Sequence, residues 1–230
     1  SLKPDLAIVS SYGLIIPQSM LDIPIHGFIN IHASLLPRWR GATPIQSSIL
    51  AGDQKTGISI IKMDAGVDTG DIILSRSMNI SHETTCGELS DKLGTLGASM
   101  ILEILNDFDN SLSKSQKQSE KESTYTKKIN ADSCRINWND SAEKILRQIK
   151  AFSPVPAAWT EINGARIKIF NAEIVNETLN FHPGFVLENT IVVCKAKALK
   201  LLEVQPSGKN RMSGEDFLRG RKNLIHKIAK

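Results

Sequence analysis

Apolar residues in the first half of the chain come in two rhythms. The solid run Leu6 to Val9, closed by Ser-Ser-Tyr-Gly, has the character of a buried parallel strand. Phe28 to Ile31, Thr56 to Met63 and Asp71 to Ile80 read as three more strands. Between them the spacing turns helical. Ala42 to Ala51 places Ile45, Ile49 and Leu50 on one face. Thr84 to Leu105 repeats Leu89, Leu93, Leu96, Met100, Ile101 and Leu105 at helical intervals. Strands alternating with helices predict an α/β domain with a mainly parallel sheet.

From Asp107 to Thr126 the pattern lapses. The stretch DFDNSLSKSQKQSEKESTYT is rich in Ser, Gln and Lys and nearly empty of apolar residues, so it reads as a linker that cannot bury enough surface to offset its ordering entropy. Beyond it the texture changes again. A helix is predicted over Ser141 to Phe152, with Ile145, Leu146 and Ile149 inward. Short strands follow at Ala158–Ile162, Ala165–Val175, Gly184–Glu188, Thr190–Cys194 and Ala198–Gln205, and a last helix at Ser213 to Arg221. Asn163-Gly164 marks a hairpin between the first two. Five punctuated strands suggest a small barrel of the OB type, a fold that often binds nucleic acid. The predicted domains are therefore 1–110, a linker over 111–130, and 131–230.

Composition narrows the class. With 41% hydrophobic and 23% charged residues over 230 positions, the chain reads as globular. No apolar run reaches the ~18 residues of a membrane span, and no leader peptide is visible. Cys86, Cys134 and Cys194 are scattered, without a CxxC pair, which favours a reducing cytoplasm over a disulfide framework and gives no zinc motif. Charge is uneven. Up to Thr126 there are 10 Lys+Arg against 14 Asp+Glu; after it, 18 against 10. A net −4 is followed by a net +8, and a basic half of that kind suits a polyanion.

The chemistry concentrates in FINIHASLLPRWRGATPIQ, Phe28 to Gln46. On a strand, Asn30 and His32 project from the same face, near its C-terminal end, where open α/β sheets hold ligands. An amide and an imidazole there can stabilise an oxyanion on a carbonyl carbon, and the imidazole can pass a proton to a leaving nitrogen. A carboxylate partner is expected from the glycine-rich loop Asp64 to Asp71. Spacing alone does not choose among Asp64, Asp68 and Asp71.

The stretch N-I-H-A-S-L-L-P-R-W-R-G-A-T-P-I-Q resembles the signature of the 10-formyltetrahydrofolate-dependent formyltransferases, whose core is N-x-H followed by S-L-L-P. Gly66-Val67-Asp68-Thr69-Gly70-Asp71 matches the family's second block, G-x-D-T-G-D, and that match singles out Asp68. The finer match is to the members acting on initiator methionyl-tRNA. It includes Arg135-Ile136-Asn137-Trp138, Ala151-Phe152-Ser153-Pro154-x-Pro156 and Gly208-Lys209-x-Arg211-Met212-Ser213.

The resemblance implies a partial Rossmann-like formyltransferase domain, incomplete at its N-terminus because the family has further strands upstream of Leu6, and then an OB-like tRNA-binding domain. It implies 10-formyltetrahydrofolate as formyl donor, no metal, the amine of methionine on initiator tRNA as acceptor, and a cytoplasmic monomer in translation initiation. Asn30, His32 and Asp68 would be catalytic; Ser34, Leu35, Leu36 and Pro37 would line the folate. Arg38 and Arg40 would meet the acceptor phosphates of tRNA or the glutamate tail of the folate, and Lys209, Arg211 and Arg221 would meet tRNA. The rival readings are transfer to a small amine, such as glycinamide ribonucleotide or an amino sugar, and an RNA-binding module with an inactive transferase-like domain.

Overall fold

The computed structural model describes residues 4–177 and 179–230. The chain divides into two compact units. The first holds Ser1–Ser48, Asp53–His82 and Glu88–Lys128; the second holds Ile49–Gly52, Glu83–Gly87 and Ile129–Lys230.

The first unit is built on strands β1 (Ala7–Ser10), β2 (Phe28–His32), β3 (Lys55–Lys62) and β4 (Ile72–Asn79), in that order across one sheet. Helices α1 (Gln18–Leu21), α2 (Pro44–Ala51), α3 (Cys86–Asn106) and α4 (Phe108–Ser113) complete the elements of the chain up to this point. The expected α/β class holds. The sheet itself is mixed: β1 and β2 run parallel, whereas β2–β3 and β3–β4 are antiparallel. The 63–71 turn returns the chain directly onto its neighbour, and a direct return makes an antiparallel pair. Strand β3 is the centre of the core. Every residue from Thr56 to Ile61 is buried, as a β-branched run covered on both faces should be.

Helix α3 buries Leu89, Leu93, Met100, Ile101 and Ile104. Leu105, expected inside, is exposed, and Ile104 holds the inward position one residue earlier. Gly97 is where the helix meets the sheet: a Cβ there would lie 2.8 Å from Cγ2 of Ile31. Only a residue without a side chain permits that approach.

The 111–130 segment corrects the expectation of a free linker. Gln116 exchanges two backbone hydrogen bonds with Ile72, at 2.8 and 2.9 Å. Thr124 and Thr126 pair with the 37–40 backbone: the Thr124 N–H donates to Pro37 O, the Arg40 N–H to Thr124 O, and the Thr126 N–H to Arg40 O. Backbone pairing and polar side-chain contacts hold what apolar burial alone would not. We refer to residues 114–126 as the strap.

The second unit carries α5 (Ala142–Phe152), a five-stranded antiparallel sheet and α6 (Gly214–Arg219). The sheet order is β5 (Ala158–Ile162), β6 (Ala165–Val175), β8 (Ala198–Pro206) and β7 (Ile191–Val193), with β9 (Met212–Ser213) also paired to β8. Asn163 and Gly164 both take positive φ, 51° and 78°, as a two-residue hairpin of this twist requires. Ser141 caps α5, its hydroxyl accepting from the Lys144 N–H, and Ala142, Ile145, Ile149 and Phe152 face inward. The predicted strand Gly184–Glu188 forms isolated bridges, Phe185 to Ile228 and Val186 to Val192, in place of a continuous ladder. It ends in a 3-10 turn whose Asn189 and Thr190 have positive φ, which stops a ladder from propagating. Among the described residues no helix is long and apolar enough to cross a membrane.

Candidate active site

The end of β2 presents Asn30 half-buried and His32 only 5% exposed. They come from one strand but do not touch each other through it; a third group joins them. Asp68, on the turn between β3 and β4, accepts from Asn30 Nδ2 through Oδ1 at 3.1 Å. Its Oδ2 lies 3.5 Å from His32 Nδ1 and accepts from the Gly41 N–H at 2.8 Å. The opposite ring nitrogen, Nε2, donates to the carbonyl of Trp39 at 2.9 Å. Both imidazole nitrogens therefore face acceptors, Nε2 at hydrogen-bond distance and Nδ1 beyond it.

The three carboxylates of the turn have separate roles. Asp64 accepts from the Gly66 N–H and the Thr69 hydroxyl, closing the turn on itself. Asp71 contributes its backbone carbonyl to Lys62 N–H. Asp68 alone reaches the Asn30–His32 pair. To do so it adopts φ +54°, a left-handed conformation that Asp tolerates at a cost on the order of 1 kcal/mol. Gly70 makes the turn possible, since a Cβ there would fall 1.7 Å from the Lys62 carbonyl oxygen.

The segment after β2 folds over the same site. Ser34 is fully buried; its hydroxyl donates to Arg38 O at 2.6 Å, and its carbonyl accepts from Ser59 Oγ at 2.8 Å. The Leu36 N–H donates to that same Ser59 hydroxyl, and the Leu36 side chain is buried too. This corrects one expectation: the side chains of Ser34 and Leu36 shape the loop from within and are not presented to a ligand. Leu35 and Pro37 are half-buried and remain presentable.

Arg40 is the second correction. Expected on the surface against tRNA, it is the largest fully buried side chain of the described residues, 0% exposed. Its guanidinium donates to both oxygens of Glu120, at 2.8 and 3.0 Å, to Gln118 Oε1 at 3.0 Å, and to the Tyr125 hydroxyl at 3.1 Å. The Arg40 hydrogen bonds hold the Glu120 carboxyl below its ordinary value. Arg38, by contrast, is half exposed and bidentate to Asp53, which also accepts from the Trp39 indole N–H. The Asp53 hydrogen bonds raise the Arg38 pKa, so this cation is permanent and already partnered. In the second unit Lys209 and Arg211 are exposed, with Arg211 lying 3.6 Å over the Phe170 ring; Arg221 is half-buried over Phe217 at 5.0 Å. Among the described residues no cluster of His, Cys, Asp and Glu is arranged to hold a metal.

Known proteins decide the family. The sequence model of the family described as "Formyl transferase" matches residues 1–105, and that described as "Formyl transferase, C-terminal domain" matches residues 128–222. This chain belongs to the formyl transferase family. It is 41% identical over 221 residues to a protein of Methylococcus capsulatus named methionyl-tRNA formyltransferase, covering 95% of this chain and 72% of that one. It is 44% identical over 225 residues to the protein of the same name from Neisseria meningitidis serogroup C, covering 96% of this chain and 72% of the other. Among solved structures it resembles HypX from Aquifex aeolicus, crystallised with tetrahydrofolic acid, at a TM-score of 0.73 and 21% identity. That match covers 94% of this chain but only 38% of HypX, and at such identity it speaks for the fold.

Sequence reasoning missed the formyl transferase site's surroundings. Gly41, which donates to Asp68, and Gln118 and Glu120, which meet Arg40, were not expected there. The pairing propensity of Ser123 to Thr126, a run of hydroxyl and aromatic residues, is the one local hint that the strap docks.

Proposed function

We propose that this chain transfers the formyl group of 10-formyltetrahydrofolate to the α-amine of methionine on initiator tRNA. The observation that carries the reading is the meeting of Asn30, His32 and Asp68 around one carboxylate, at hydrogen-bond or ion-pair distance. The names of its two relatives support the choice of acceptor.

The reaction requires the amine nitrogen to attack the formyl carbon, an oxyanion to form, and the bond from that carbon to the folate nitrogen to break. The amine loses a proton and the folate nitrogen gains one. Asn30 Nδ2 carries two hydrogens, one of which goes to Asp68; the other is available to the carbonyl oxygen as it becomes anionic. His32 is anchored at Nε2 by Trp39 O, while its contact with Asp68 at 3.5 Å is longer than a hydrogen bond. The Nδ1 side is thus the one that an incoming oxygen can engage and from which a proton can reach the leaving nitrogen. Asp68 balances the imidazolium charge and can take the proton that the amine sheds. Leu35 and Pro37 offer apolar surface for the folate ring.

The discriminating assay presents 10-formyltetrahydrofolate with charged initiator tRNA in one reaction and with glycinamide ribonucleotide or an amino sugar in others. Formylmethionyl-tRNA is the expected product. Transfer only to a small amine would move the reading to the rival acceptor. RNA binding without any transfer or folate binding would leave an RNA-binding module.

A further inference from the structure

Gln118 makes three hydrogen bonds with its side-chain amide. Nε2 donates to two successive landmarks of the catalytic turn, the carbonyls of Asp68 at 2.8 Å and Gly70 at 2.7 Å. Oε1 accepts from Arg40 Nε at 3.0 Å. Arg40 stands between the two residues whose backbones hold the site, because Trp39 O accepts from His32 and the Gly41 N–H donates to Asp68. The strap thus grips the Asp68 turn by its backbone and the 39–41 segment through Arg40. Two donors and one acceptor in one plane are what this junction needs; a carboxylate has no donor and an ammonium no acceptor.

We infer that Gln118 is a positioning residue for the formyl transfer, setting the distance between the Asp68 carboxylate and the His32 imidazole. Asp68 sits in a left-handed conformation and its side chain meets groups from β2 and from residue 41. Among the described residues, the side-chain contacts that close the turn on itself belong to Asp64 and not to Asp68. Gln118 supplies an anchor from 50 positions away.

The inference rests on the proposed function, and its test separates the two. In the full chain, Gln118→Glu keeps the acceptor for Arg40 but points a carboxylate oxygen at two carbonyls. Turnover of formyl transfer is expected to fall ~10–100-fold, with KM for folate and tRNA moving less than about threefold, as for a misplacement near 1 Å. The nitrogen and proton resonances of the His32 ring are expected to shift. Lys117→Ala, a change at an exposed strap residue beside Gln118, should keep turnover within about threefold. A folded Gln118→Glu protein with normal turnover and unshifted His32 resonances overturns the inference, even if its melting temperature drops. Should that variant not fold, the neutral Gln118→Met is read by the same criteria. If the wild-type chain transfers no formyl group, the proposed function falls instead, and the His32 resonances alone decide for or against Gln118.

Discussion

At the scale of single residues, the site divides by what each side chain can donate. Asn30 keeps a hydrogen to spare after its contact with Asp68. Asn30→Ala should therefore lower turnover by ~10²–10³, the usual cost of one lost oxyanion donor, while folate affinity changes little. Single-turnover rates beside a folate titration check both halves, and near-normal turnover would remove Asn30 from the mechanism. Asn30 and His32 were legible because a strand puts residues i and i+2 on one face. The choice of Asp68 was not legible from spacing, since Asp64 and Asp71 lie in the same loop; it needed the family block, and the geometry is consistent with it. Arg40 was misread for a related reason. An arginine between a tryptophan and a glycine looks solvated until its partner is known, and Glu120 lies 80 positions later.

At the scale of elements, the strap shows how a polar segment becomes ordered. Strands β2 and β3 announced themselves by apolar runs, whereas residues 114–126 contribute backbone pairing and a charged contact, and neither has a periodicity to read. The charged part can be titrated. The Arg40 hydrogen bonds lower the Glu120 pKa, so ionised Glu120 favours the docked strap. That contribution is fully present above the ordinary glutamate value and disappears as pH falls through the lowered one. Amide protection at Thr124 and Thr126, whose N–H groups bond Pro37 and Arg40, should exceed that in Glu120→Gln at neutral pH by a few-fold at most. The margin should close on acidification below the carboxylate range and shrink in high salt. Equal protection in the two proteins at neutral pH would assign the ordering to the backbone pairing alone.

At the scale of the whole molecule, the charge split of −4 before and +8 after Thr126 is a field that composition reveals without saying which cations are spent. Several are. Lys197 pairs with Glu143, Lys200 with Glu173, and Arg219 with Asp216. Lys209 and Arg211 are exposed, and no acidic partner for them is seen among the described residues, which makes them the cations of the second unit best placed to displace counterions from a polyanion. On the proposed function, tRNA affinity should fall steeply with salt. Lys209→Ala and Arg211→Ala should each flatten the slope of log affinity against log salt by ~0.7–0.9. Arg211→Lys keeps the charge and should restore most of the slope, although it loses the planar contact with Phe170. Arg40→Lys is the control, because a side chain with 0% exposure releases no counterion. Its slope should match wild type even where the altered strap changes turnover. Unaltered slopes in Lys209→Ala and Arg211→Ala would mean that these cations face only solvent. The positive field of the C-terminal half would then act on tRNA at a distance, speeding encounter without contact between these two side chains and its phosphates.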